Sequence, residues 1–328
     1  MGKKICIAGI GGVGGYLGGA LAKAKKGTED RVYFVARGNR KAALKERGLT
    51  VNSDLQGTFT VHPDDIGEGA EQLGQMDVIF ICVKNYSLEA VCDQIRDMVR
   101  DDTVVVTVMN GVDPAQRAAK YLGRGMVLDS MIYIVAGSKP DYSVTQSGDY
   151  CDIYIGKKFG SAEEAKAGYT SQQRQAMETV ASILAGTTVD CHIEEDIEAI
   201  LWKKYILNCA FNIVTAYYST TSGGFRKDSK MQEELMALLK EASSVARRLG
   251  VRIADDLEEE HFHHFMVEQA DGATSSLRRD MDAGRPNELE TFSGYLLKTA
   301  EGLGMELPVS KRFYEGLKAK DKSISEIR

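Results

Sequence analysis

Gly9-Ile10-Gly11-Gly12-Val13-Gly14 is a G-x-G-x-x-G turn directly after the apolar run Lys4–Ala8. Its chemistry is anion binding by backbone. Gly9 permits a tight turn, Gly11 lets the main chain approach a pyrophosphate, and Gly14 lets helix and strand pack closely. The helix start at Gly12 and Val13 presents unpaired N–H groups and a partial positive charge. The spacing alone is weak evidence in a chain with 33 glycines. A strand before it, a helix from Val13 to about Lys25 and a second strand over Arg31–Ala36 supply the βαβ context of a dinucleotide site. That second strand ends in Ala36-Arg37-Gly38-Asn39-Arg40, with no carboxylate to accept from a ribose 2′-hydroxyl. Arg37 and Arg40 read either as solvated charges or, for Arg37, as a fork of donors suited to a 2′-phosphate. The missing acid favours the second reading, and the expected cofactor is NADP(H).

A second pattern lies in the helix that begins near Ile197. Ile200-Leu201-Trp202, Tyr205-Ile206-Leu207 and Cys209-Ala210-Phe211 make it apolar almost all round, which implies burial. Within it Lys204, Asn208 and Asn212 recur every fourth residue and draw one polar stripe. An unpaired buried polar group costs roughly 1–3 kcal/mol, so the stripe has partners: either an internal network, with Lys204 on a carboxylate, or a ligand in a polar cleft. Polar residues also follow two apolar strands, Lys84-Asn85 after Met76–Val83 and Asn110-Gly111 after Val104–Met109. Both are ordinary turn residues as well as residues on the side where open α/β sheets bind ligands. Further on, Thr274-Ser275-Ser276 offers hydroxyls for a carboxylate or a helix cap. Glu288, after Pro286, offers an acceptor for a hydroxyl or a complement to a helix dipole.

The elements that must carry these residues alternate in the first half. Strands are expected at Thr50–Asn52, Thr58–Val61, Thr103–Met109, Met126–Tyr133, Ser143–Gln146, Asp152–Gly156 and Thr188–His192. Helices are expected at Asn39–Arg47, Leu88–Met98, Pro114–Tyr121 and Ser171–Leu184. Continuous apolar runs such as Val78–Val83 suit strands buried on both faces of a parallel sheet. From about Glu195 only helical periodicity remains. The expected fold is α/β: a Rossmann-like doubly wound sheet over residues 1–194 and an all-helical domain for substrate and dimerisation over 195–328, with a cleft between them.

At 328 residues and 35.9 kDa the chain is long enough for two domains. Its net charge of −6, without a basic stripe, argues against nucleic acid as a partner. The first apolar stretch is too short and glycine-rich for a signal peptide or a membrane span, and Lys318–Lys322 reads as a solvated tail. Six scattered cysteines without C-x-x-C fit reduced core thiols in a cytoplasmic protein, with no metal site. His261, His263 and His264 are placed on the outer face of a charged helix.

Together the glycine turn, Val83-Lys84-Asn85, Met109-Asn110-Gly111, Leu201-Trp202-Lys203-Lys204 with Asn208 and Asn212, and Thr274-Ser275-Ser276 with Asp280 and Glu288 resemble the motif series of the ketopantoate reductase (2-dehydropantoate 2-reductase) family. The resemblance runs over nearly the whole chain. It implies NADPH-dependent reduction of 2-dehydropantoate to pantoate, on the route to pantothenate and coenzyme A. By the same mapping Lys204 is the general acid, and Asn208, Asn212 and Ser276 bind substrate. Lys84, Asn110 and Glu288 work near the nicotinamide and its ribose, with Lys84 also within reach of substrate. Ala273 stands where many members carry a substrate-contacting Asn, and Leu277 where Met is usual. The alternatives are a same-fold reductase of another small 2- or 3-oxo acid and a non-catalytic dinucleotide-sensing module. A homodimer is compatible with either, and the polar Gly137–Tyr150 stretch has no assigned role.

Overall fold

A computed structural model describes residues 2–321; Met1 and residues 322–328, which hold the end of the expected tail and of the second domain, lie outside the described residues. The chain divides into two compact units, with the boundary between Ile197 and Glu198.

The first unit is built on a sheet of β1 (Lys4–Ala8), β2 (Arg31–Val35), β3 (Leu49–Ser53), β4 (Gly57–Val61), β5 (Asp65–Gly67), β6 (Val78–Ile81), β7 (Val104–Thr107), β8 (Met126–Ser138), β9 (Val144–Gly156) and β10 (Asp190–Ile193). Their order is β4-β3-β9-β8-β7-β6-β1-β2-β5, with β10 beside β9. From β1 the chain winds outward to both sides, and every pairing from β8 through β5 is parallel. The far side is mixed, because β8–β9 and β3–β4 are antiparallel.

Around the sheet lie α1 (Gly12–Ala24), α2 (Gly38–Arg47), α3 (Ala70–Leu73), α4 (Leu88–Ile95), α5 (Pro114–Leu122), α6 (Ala162–Ala167) and α7 (Ser171–Leu184). Alternation along the strands explains the continuous apolar runs. Ile5, Ile7, Val78, Phe80, Val104 and Val106 join one core, with Leu17 and Leu21 of α1 and Met177 and Val180 of α7. Cys6, Ala8, Ile79, Ile81 and Val105 point the other way and join Leu88 and Cys92 of α4 and Ala118 of α5.

The chain departs from expectation at the hairpin. β8 continues past Tyr133 to Ser138, and the two runs expected at Ser143–Gln146 and Asp152–Gly156 are one strand, β9. Cross-strand pairing runs on both sides of the polar Gly148–Tyr150 segment, which itself falls in an irregularity between the Tyr133–Asp152 and Val135–Ser147 pairs. The Gly137–Tyr150 stretch is thus the end of β8, a turn and the first half of β9.

The second unit contains most of α8 (Ile197–Tyr217), then α9 (Ser222–Phe225), α10 (Ser229–Arg248), α11 (Leu257–His263), α12 (Ser276–Asp282), α13 (Tyr295–Gly302) and α14 (Pro308–Lys320), with no strand among its described residues. Single π-helical turns follow α11 and precede α13, at His264–Glu268 and Glu290–Gly294. One expectation fails on α11. His261 is buried rather than outward, because its Nε2 lies 2.9 Å from the Lys203 carbonyl oxygen, and burial lowers its pKa. The described cysteines are all free thiols, and every one except the half-buried Cys191 is buried. Among the described residues no helix is long and apolar enough to cross a membrane.

Candidate active site

Strand register brings four of the expected loops to one edge of the sheet. Ala8 pairs with Val35 on one side and Ile81 on the other, and Ile81 pairs with Thr107. The glycine turn, Arg37, Lys84 and Asn110 therefore leave the carboxyl ends of β1, β2, β6 and β7 as neighbours. Gly9 sits at φ +100°, and a side chain there would press on Val83 and Cys82. A Cβ on Gly14 would collide with the Gly9 carbonyl oxygen, and one on Gly12 would lie 2.8 Å from that of Ala136. Gly11 differs: a Cβ there would meet nothing within 4 Å. Gly11 is also the cap residue of α1, and no side chain caps that helix start. The N–H groups at Gly12 and Val13 thus head a helix with open space before it, while the Val13 side chain packs against the core.

Arg37 is exposed at the cap of α2, just past β2. Arg40 is half-buried instead of solvated. Its guanidinium donates to the Ile10 carbonyl oxygen inside the glycine turn and to Ser138 Oγ at 3.3 Å, and it stacks over the Tyr142 ring at 4.9 Å. Lys84 is half-buried at the head of a short 3-10 turn, Asn85–Ser87. Asn110 is half-buried and precedes Gly111, whose φ is +101°.

In the helical unit, α8 carries the polar stripe. Asn212 is 4% exposed; its Nδ2 donates to Asn208 Oδ1 at 3.1 Å, and its own Oδ1 accepts from Ser276 Oγ and Leu277 N, each at 3.3 Å. One amide thereby fixes Asn208 and seats the start of α12. The cap of α12 is Ser275, whose Oγ accepts from Arg278 N at 3.1 Å and from Thr215 Oγ1 at 2.7 Å. Ser276 is left facing the asparagines. Lys204 lies one helical turn before Asn208. Burial lowers its pKa to about 8, and the buried Glu288 beside it acts the other way.

The turn that follows Glu288 is bonded by a residue that sequence reasoning passed over as apolar filling. Tyr205 Oη donates to the carbonyl oxygens of Thr291 at 2.8 Å and Phe292 at 3.1 Å, in the π-helical turn after Glu288. Cys209 Sγ, one turn along α8, donates to the same Phe292 oxygen at 3.1 Å. Trp202 packs edge-on against the Tyr205 ring, with centroids 5.4 Å apart. Tyrosine in an apolar stretch was the one signal available, since a buried phenol needs a partner.

Two family models cover most of the chain: "Ketopantoate reductase PanE/ApbA" over residues 5–158 and "Ketopantoate reductase PanE/ApbA C terminal" over 196–321. The chain belongs to the ketopantoate reductase family. Both matches fall on the residues just described, the glycine turn through Asn110 in the first and Lys204 through Glu288 in the second. Among relatives, the chain is 28% identical to the uncharacterized oxidoreductase YkpB of Bacillus subtilis, over 96% of this chain and 97% of that protein. It is 26% identical to the 2-dehydropantoate 2-reductase of Archaeoglobus fulgidus, over 94% and 95%. Among solved structures, D-mandelate dehydrogenase in a ternary structure with NADH and anilino(oxo)acetate shares the fold, with a TM-score of 0.83 at 19% identity over 98% of this chain and 99% of that one. The ketopantoate reductase fold, an α/β dinucleotide-binding oxidoreductase with a helical second part, is thus the fold of this chain.

Proposed function

We propose that this ketopantoate reductase relative reduces the ketone of a small 2-oxo acid with NADPH, and that 2-dehydropantoate is the substrate. The carrying observation is Lys204, a half-buried ammonium whose pKa desolvation lowers to about 8, on the same helix face as the Asn208–Asn212–Ser276 network. The cofactor groups belong to the first unit apart from Glu288, and Lys204, Asn208, Asn212 and Ser276 to the second.

The residues present fit a dinucleotide. Gly11 leaves space where a side chain would intrude, and α1 presents its start to that space without a side-chain cap. Arg37 supports the 2′-phosphorylated form, being exposed just past β2, whose own sequence end carries no carboxylate. When bound, the reduced dinucleotide supplies hydride. Lys204 holds a proton at Nζ for the substrate's carbonyl oxygen and stabilises the negative charge that develops there. Asn208 and Ser276 hold the oxo acid, and Asn212 keeps both in place. Lys84, Asn110 and Glu288 bear on the nicotinamide and ribose end.

Another small 2-oxo acid is the second reading, favoured by Ala273 in place of an amide and by the fold shared with a protein that acts on mandelate. The test is NADPH and NADH oxidation, followed by absorbance, with a panel of 2-oxo acids. The expected result is turnover with 2-dehydropantoate at the highest kcat/KM, and NADPH ahead of NADH. Faster turnover of another acid selects the second reading. Tight NADPH binding without turnover of any acid overturns the enzymatic role.

A further inference from the structure

We infer that Asn85 is a positioning residue that sets the nicotinamide end of the cofactor site by fastening two strand-end loops together; this rests on the dinucleotide reading above. Asn85 follows Lys84 after β6, is 8% exposed, and donates from Nδ2 to the Asn110 carbonyl oxygen at 2.8 Å. Its Oδ1 accepts from Arg117 Nη2, and Arg117 Nε lies 2.9 Å from Asp113 Oδ2. The amide orientation follows from its partners, since a carbonyl only accepts and a guanidinium only donates.

Arg117 and Asp113 both belong to the start of α5, immediately after the Asn110-Gly111 turn. The order is therefore closed: the loop after β6 grips the loop after β7, and the helix that follows the second loop grips the first. Burial raises the Asp113 pKa, while the nearby Arg117 and Lys158 act the other way. These bonds join the loops after β6 and β7 to the start of α5, whereas the glycine turn and Arg37 leave β1 and β2. The bond thus sets Lys84 and Asn110 relative to each other and leaves the adenosine end of the site untouched.

The discriminating variant is Asn85→Asp. It keeps the shape and the acceptor for Arg117, but its carboxylate cannot donate to the Asn110 oxygen. Binding of NADPH and of adenosine 2′,5′-bisphosphate, which contains only the adenosine end, is measured by calorimetry on the full chain, alongside the melting temperature. The expected result is NADPH affinity lowered about tenfold with bisphosphate affinity unchanged, the fold-change equal to the ~1.4 kcal/mol of one such bond. Asn85→Gln, which restores a donor, recovers part of the NADPH affinity. Equal losses for both ligands, or no loss for either, overturn the inference. Failure of the unaltered protein to bind either ligand overturns the dinucleotide reading, and the inference with it.

Discussion

The proposed proton donor, Lys204, depends on its surroundings for a pKa suited to that role. An exposed lysine has a pKa near 10.4 and is a reluctant donor at neutral pH, but burial in α8 brings this one to about 8. Only the protonated form donates, so activity is expected to fall as pH rises through about 8. Glu288 raises the lysine's pKa, so Glu288→Gln removes that support and moves the alkaline limb to lower pH, read as kcat against pH at saturating cofactor and substrate. Lys204→Ala should lose the limb and lower kcat roughly 10²–10⁴-fold, the range for a general acid, while still binding NADPH. A retained limb in Lys204→Ala would move the role elsewhere. Asn212 explains why the stripe has fourfold spacing: only a residue on the same face reaches Asn208 and the start of α12 together.

At the scale of elements, the glycine turn separates two duties that sequence spacing presents as one. Gly14→Ala forces a Cβ against the Gly9 carbonyl oxygen and Cys82, so a loss of about 3 kcal/mol or more is expected, at the upper end of overpacking, read by denaturant unfolding. Gly11→Ala meets open space and should leave stability within about 1 kcal/mol, yet weaken NADPH binding by about tenfold or more, read by calorimetry. Identical behaviour of the two variants would refute the division. The alternation of β1, β6 and β7 was legible because both faces of each strand are buried and leave unbroken apolar runs. β9 was legible only at its ends. Its middle, Ser147–Tyr150, is exposed, so nothing forces apolar residues there, and Gly148–Tyr150 drop out of the cross-strand register at the irregularity. The short β5, α3 and α6 carry too few residues to show a period. Lys204, Asn208 and Asn212 were legible as candidates because they interrupt an apolar helix. Asn85 stood out only as a polar strand-end residue and Tyr205 not at all, and the bonds of neither were legible, since their partners lie 25 and 86 residues away in sequence.

At the scale of the molecule, the groups proposed for cofactor and for substrate are divided between the two units, with Glu288 the one cofactor group in the second. Amide hydrogen exchange should show this division. NADPH alone is expected to protect the segments around Gly9–Gly14, Lys84–Ser87 and Asn110–Asp113. Addition of the oxo acid should extend protection to Lys204–Asn212 and Thr274–Asp280. Protection by the acid confined to the first unit would place the substrate away from α8. The edge-on packing of Trp202 against Tyr205 makes a second kind of measurement available. It is the only indole in the chain, it is fully buried, and it lies two residues from Lys204 on α8. Ultraviolet emission excited at the red edge of the aromatic band therefore comes from one place, in the helical unit. Its colour during heating reports the opening of that unit alone, whereas far-ultraviolet circular dichroism averages over both, so any lag between the two signals would show one unit melting before the other.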